Sequence, residues 1–408
     1  MAAASTISNL SSGFKTLFPD ARMEQLGLIN RDLLKWVAKK DDLEGNGLVV
    51  AYRYDMPQGL GSKFATAQAN VTSGKVKNVT LYRKRYYGFV TIDSEAARAA
   101  RSNKGSFYRV KEAEIEDMTQ MVSQELEVHL WRDGNGNKGQ ISSITDANPS
   151  VITLVNAEDV ANFHIGEIIG CNSAADASGT DRTGPEAVAA IDIDAGTVTM
   201  TSNVYNDHAW DNPDYLFRNS GLSTTNDGAD VVNGIAAWIP LTAETSGTFL
   251  GMNRLDSVNA LQGYRQTFVG SIEETIKKLH SKMRRFGKMP DAIWLSNTNW
   301  HRLEQELGAR AVREDGSPGT FGLPTLKYNS PNGPIRVYAG AFCPDGLGYM
   351  LKRSTWVLHH LDGLPHLITD DGKGSDRGSN YDGIEVRVRY WCELCCHDMS
   401  QNGVFQIS

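Results

Sequence analysis

The 408-residue sequence has no long apolar run. None approaches the roughly 18–20 residues that a membrane helix needs, and a stretch such as Ile165 to Cys171 is already interrupted by Glu167. No cationic start followed by an apolar core opens the chain, and its first basic side chain is Lys15, so no secretory signal is expected. Cysteine is scarce and odd in number, with three of the five at Cys392, Cys395 and Cys396. A disulfide framework is therefore not expected, and reduced thiols in a cytoplasmic chain fit better. Charge of one sign is not in large surplus. Forty-one basic residues against 48 acidic give −7, so the surface as a whole is not built to hold nucleic acid, which leaves room only for a local basic patch.

Signature motifs of catalysis are missing too. There is no HExxH, no GxSxG elbow and no GxxxxGK[ST] phosphate loop. A Ser–His–Asp set assembled only by the fold stays open. Gly134 to Gly139 matches GxGxxG, but that pattern needs a strand entering and a helix leaving, and here a helix enters and strands leave. A helix stop is the simpler reading. The same stretch places Asp133, Asn135 and Asn137 at the first ligand positions of a calcium loop. Lys138 then stands where glycine is required and Ile144 where a bidentate Glu is required. Cys392, Cys395, Cys396 and His397 raise zinc, yet no second CxxC exists and adjacent strand residues face opposite ways. No metal and no cofactor is expected.

What is present is ordinary globular composition, 40% hydrophobic and 22% charged, which excludes disordered, collagenous and coiled-coil classes. The length suggests two or three substructures. Thirty-nine glycines, about a tenth of the chain against a usual ~7%, imply many turns. Residues 1–48 read as an N-terminal arm: a small polar start, then a loose stripe through Leu26, Leu33, Leu34, Trp36 and Val37. Residues 49–92 read as an extended β-hairpin loop with little buried core. Residues 93–149 carry the best helix of the first half, 107–131, with Ile115, Met118, Val122, Leu126 and Leu130 at steps of three and four and Glu112, Glu114, Glu116, Asp117, Glu125 and Glu127 on the other side. It would span about 37 Å at ~1.5 Å per residue.

Residues 150–218 switch to short strands, 151–155, 167–171, 187–193 and 197–200, and read as a β-rich insertion. Residues 219–340 are mixed α/β. Ile272, Ile276, Leu279, Met283 and Phe286 trace a clean amphipathic helix closed by Pro290, followed by a strand at 291–296 and a helix at 298–307. Residues 341–408 supply return strands at 348–359 and 384–396, which a glycine-rich loop separates.

Two basic clusters stand out. Tyr82 to Tyr87 interleaves Arg83, Lys84 and Arg85 with tyrosines. Residues 271–290 hold six cations against Glu273 and Glu274. Three readings are open: a solvated helix face, ion pairs to an acidic face of another subunit such as helix 111–127, and direct contact with nucleic acid.

The order of parts resembles the major capsid protein of tailed double-stranded DNA bacteriophages, the Hong Kong 97-type fold. Tyr86 to Ile92 sits where that family's extended loop rejoins the body. Phe107 to Trp131 resembles its spine helix, Ser271 to Ile276 with Pro290 to Asn297 its axial helix and strand, and Asp382 to Val388 a late return strand. The likeness covers nearly the whole chain except 150–218, which looks like the β insertion some members carry.

The resemblance implies an α+β fold with N-terminal arm, extended loop, peripheral domain with spine helix, axial domain and β-rich insertion domain. It implies a structural protein, not an enzyme, self-assembling into hexamers and pentamers of an icosahedral head around phage double-stranded DNA. Its implied partners are many copies of itself, a portal protein, a scaffolding protein, possible decoration by a further protein, and DNA held non-specifically, with no membrane. Its implied location is the virion, with assembly in the host bacterial cytoplasm. No coiled-coil segment precedes the arm, so a separate scaffold or none is expected. Some relatives form Lys–Asn links; Lys63, Lys75 and Lys77 lie on the loop, and no crosslink is expected. Inter-subunit ion pairing is assigned to Arg83, Lys84 and Arg85, to Glu112, Glu116 and Asp117, and to Lys277, Lys282, Arg284 and Arg285. The competing readings are an enzyme or a carbohydrate- or receptor-binding module built on 150–218, and a virus-derived protein-cargo compartment of the same fold.

Overall fold

The computed structural model describes residues 31–93, 104–176, 178–218, 231–245, 248–307, 326–331, 333–368, 376–377 and 383–407. Most of the expected arm, residues 1–30, lies outside the described residues, as does nearly all of the glycine-rich loop before Gly383.

The described residues begin with a short helix α1 (Asp32–Trp36) and strands β1 (Ala38–Asp41) and β2 (Leu48–Asp55), then helix α2 (Phe64–Ala69) and strands β3 (Lys75–Leu81) and β4 (Lys84–Asp93). The long helix α3 (Lys104–Trp131) follows. After it come β5 (Asn137–Ile144), β6 (Val151–Leu154), β7 (Ile168–Asn172), β8 (Glu186–Asp192), β9 (Thr197–Met200) and β10 (Tyr215–Arg218). Next are β11 (Tyr264–Gln266), helix α4 (Ile272–Arg285), β12 (Ala292–Ser296), helix α5 (Asn297–Leu307), β13 (Leu326–Ser330), β14 (Gly333–Gly340) and β15 (Leu347–Leu351). The last strands are β16 (Trp356–His360), β17 (His366–Leu367), β18 (Asp376–Arg377), β19 (Gly383–Cys396) and β20 (Gly403–Gln406). These fall into two compact units: residues 1–44, 83–127 and 358–393, and residues 45–82, 128–357 and 394–408.

The first unit is a sheet with α3 laid on it. Strand β19 is the hub: β16, β17, β18 and β4 all pair with it, and β1 extends the sheet beyond β16. The β4–β19 register runs from Asp93 opposite Gly383 to Lys84 opposite Cys392. Gly88 lets the helix close on β4, because a Cβ there would stand 2.6 Å from Met118 Sδ and 2.8 Å from Val122 Cγ2. Ile115, Val122 and Leu126 of α3 and Val386 and Val388 of β19 are buried. Each such side chain contributes about 1.5–3 kcal/mol of burial.

The segment after residue 30 departs from the coreless arm expected of it. Leu33, Leu34, Trp36 and Val37 are all buried, and β1 joins the sheet. The acidic side expected of α3 is also only half right. Glu114 and Asp117 are exposed, but Glu125 and Glu127 are buried, and at Glu127 the N-terminal segment packs where solvent was expected.

The second unit holds three structures. Strands β5 to β10 close a barrel in the order β10-β5-β6-β9-β8-β7. Its core includes Ile141, Ile152, Ile169, Val198, Trp210 and Leu216. The barrel therefore starts at Asn137, before the boundary expected at 150, and β5 and β10 are the strands the sequence pattern did not reveal. Gly134 and Gly136 take φ of +84° and +76° in the turn that separates α3 from β5.

A six-stranded sheet, β11-β20-β15-β12-β14-β13, carries α4 and α5. In α4 the Ser271 hydroxyl accepts the Glu274 N–H at 3.1 Å, acids open the helix and Lys282, Arg284 and Arg285 end it, as the helix dipole favours. Ile272, Ile276, Leu279 and Met283 face the core; Phe286, expected in the same row, lies past the helix end and is exposed. The single return strand expected at 348–359 is two strands, β15 and β16, in different sheets. A 3-10 turn at Arg353–Thr355 separates them. The third structure is the β2–β3 ribbon.

Candidate subunit interface

The ribbon pairs Leu48 with Leu81, Val50 with Val79 and Tyr52 with Lys77. Its base is rooted, since Tyr52, Val79 and Leu81 are buried. The Tyr52 hydroxyl lies 3.4 Å from Cys395 Sγ, and Lys77 Nζ lies 2.8 Å from Asp256 Oδ2. The tip between the strands is different. Its backbone is fixed by its own hydrogen bonds: Thr72 N–H to Gln58 O at 2.9 Å, Gln58 N–H to Thr72 Oγ1 at 3.0 Å, and Asn70 Nδ2 to Leu60 O at 3.1 Å. Yet α2, a helix the sequence reading did not place, buries no residue at all. Met56 is 74% exposed, and Leu60 and Phe64 are each 83% exposed. A tip with ordered backbone and apolar side chains in water is a surface suited to being covered.

The structure separates the residues assigned to ion pairing. Arg83 lies in the link after β3, half-buried, and its Nη1 donates to Leu43 O at 2.9 Å, so it serves its own subunit. Lys84 and Arg85 are not on the hairpin: they begin β4 in the six-stranded sheet of the first unit, and only Arg85 is exposed. The side chain of Glu112 lies outside the described residues; Glu116 is half-buried and Asp117 exposed. On α4 Lys277 pairs with Glu273 one turn back, and Lys282 Nζ donates to Arg265 O at 3.0 Å. Arg284 and Arg285 are exposed at the helix end.

The side chain of Lys138 is turned inward, 2.5 Å from Glu167 Oε1, which Arg218 also reaches at 3.0 Å. Asn137 Nδ2 donates to Ala175 O at 3.1 Å, and the Asp133 carboxylate accepts from Asn135. These residues hold a turn together. Cys392, Cys395 and Cys396 are buried free thiols, and burial pushes Cys392 and Cys396 well above the usual thiol range.

The sequence reading missed Glu127. Its carboxylate accepts the backbone N–H of Leu33 at 2.9 Å and of Leu34 at 2.8 Å, the orphan donors of α1. Burial raises its pKa to about 7; Asp32 adds to the rise, while the two backbone bonds and Arg31 oppose it. Arg31 in turn donates to Gln120 O and Gln124 Oε1. Glutamate on an amphipathic helix reads as surface, and nothing local marks this one as a clasp.

No family model and no curated protein matches the sequence. Solved structures do. The capsid asymmetric unit of cyanophage A-1(L) is 13% identical and superposes with a TM-score of 0.51 over 94% of this chain and 92% of that one. The capsid of the native GTA particle is 8% identical, with a TM-score of 0.48 over 93% and 90%. The SrpI encapsulin of Synechococcus elongatus is 10% identical, with a TM-score of 0.44 over 100% and 92%. The long helix on its sheet, the ribbon, the barrel and the second α/β sheet together make this a chain of the Hong Kong 97-type capsid fold.

Proposed function

We propose that this protein is the structural subunit of a closed shell, a major capsid protein whose copies assemble as hexamers and pentamers around phage DNA. The observation that carries the proposal is the hairpin tip, rooted at its base and apolar at its end. A subunit acting alone gains nothing by holding Leu60 and Phe64 in water. Covering each would contribute about 1.5–3 kcal/mol. Repeated over many symmetric contacts, that is enough to drive association. Exposed charge on Arg85, Asp117, Arg284 and Arg285 supports pairing between copies, each pair worth little alone and more in a network. Portal, scaffold and decoration partners, and assembly in a bacterial host, belong to the same reading.

The test is a pair of substitutions, Leu60→Asp with Phe64→Asp. The subunit is expected to keep its unfolding midpoint, as exposed sites do, and to lose particle formation in sedimentation. Normal particle yield from the double variant would overturn the proposal. Nucleic acid in wild-type particles is the expected content; protein content instead would make the same shell a cargo compartment.

A further inference from the structure

We infer that Phe286 of one copy fills a cavity on the next, a knob-into-hole contact that joins neighbouring copies around a ring. The inference rests on the shell reading above and names a contact within it. The cavity measures about 220 Å³ and opens beside α4. Pockets for small molecules run from ~300 to ~1,000 Å³, so this one has the room of a large side chain.

The lining selects an aromatic occupant. Met289, Pro290, Pro334 and Ile335 give apolar walls, Lys352 a cation and His280 a ring. A cation over a ring face and an imidazole against a ring both favour an aromatic guest over an aliphatic one. His280 is 3% exposed and packs edge-on against Tyr328, with 5.4 Å between ring centroids. Burial and Arg284 hold its pKa below the usual histidine range, so it meets the guest uncharged at neutral pH. The Asp291 carboxylate, the one acid of the lining, accepts the Arg353 N–H at 2.9 Å.

Phe286 answers that description. Among the described residues it is the one exposed aromatic ring on the six-stranded sheet and its two helices, at 59%. It does not line the cavity of its own copy. Phe286 packs on Tyr264 of β11 and His280 on Tyr328 of β13, and β11 and β13 are the two edge strands of that sheet. Knob and hole therefore lie toward opposite edges of the same sheet. Complementary patches placed in this way make head-to-tail contacts, and a rotation that closes them makes a ring. Hexamers and pentamers repeat such a contact in every copy.

The five native cysteines are buried, so a flexible bis-maleimide joins only added thiols. Phe286→Cys with Pro334→Cys on the same chain puts one thiol at the knob and one at the cavity wall. In assembled particles the double variant is expected to give a covalent ladder rising to five or six copies on a denaturing gel, and neither single variant more than a pair. Particles that give no ladder, or one that stops at two copies, would overturn the inference. So would a ladder from Phe64→Cys with Pro334→Cys, which would seat the hairpin tip in the cavity instead. If loss of the ring prevents assembly, Arg285→Cys with Pro334→Cys keeps Phe286 and carries the same test. Absence of particles from the unaltered chain would overturn the shell reading instead, which separates the two failures.

Discussion

Replacing Glu127 by glutamine is expected to make the protein more stable above neutral pH and to leave it unchanged in mild acid. The carboxyl is 1% exposed and its pKa is raised from 4.5 to about 7. A raised acid binds its proton more tightly folded than unfolded. Below pH 4.5 both states are protonated and the group costs nothing. As pH climbs from 4.5 to 7 the unfolded chain ionises and the folded chain does not, so stability falls across that window and stays reduced above it. At about 1.36 kcal/mol per pKa unit the full loss is about 3 kcal/mol. Glutamine keeps the shape and one acceptor and cannot ionise, so it lacks the slope. The assay is denaturant unfolding of both proteins from about pH 4, below the unfolded pKa, to about pH 8, above the folded one. The difference between their midpoints should grow from near zero to its maximum above pH 7. Parallel profiles, or a variant weaker at pH 8, would refute the argument that burial of this charge dominates over its two backbone hydrogen bonds.

Three further outcomes follow from the packing. Gly88→Val forces a side chain into Met118 and Val122 and should cost about 1–3 kcal/mol in unfolding free energy; an unchanged midpoint would contradict the close approach of α3 to β4. Lys138→Met leaves Glu167 buried with Arg218 as its remaining cation and should destabilise the barrel by about 3 kcal/mol, followed by the fluorescence of buried Trp210; a neutral result would mean that Arg218 suffices. Charge reversal at Arg284 and Arg285 together should reduce particle yield in sedimentation more than it shifts the unfolding midpoint, and normal yield would remove those two residues from the interface.

Much of this fold was legible where burial follows a regular period. The stripe Ile272, Ile276, Leu279 and Met283 placed α4, and Ile115 to Leu130 placed α3, because a helix with one buried side must repeat at three and four. Legibility failed where burial depends on a distant segment. Glu127 read as solvent-facing until the segment carrying Leu33 and Leu34 met its carboxylate. Residues 348–359 read as one strand because an apolar run does not reveal that its halves join different sheets. Strand β5 escaped notice because Lys138 and Gln140 are polar, and Lys138 is inside only because Glu167 meets it. In the hairpin, the paired strands were visible as alternation. The exposed apolar tip showed only once the structure revealed that nothing in the described chain covers it. The ion-pairing residues fared least well, because charge patterns along a sequence do not distinguish a partner in the same subunit, as for Arg83 and Lys277, from one in another.

The most direct test of the account is electron microscopy of the purified chain under conditions that favour association. Closed shells of uniform size are the expected image. A population that stays monomeric throughout, with Leu60 and Phe64 still open to solvent, would contradict it.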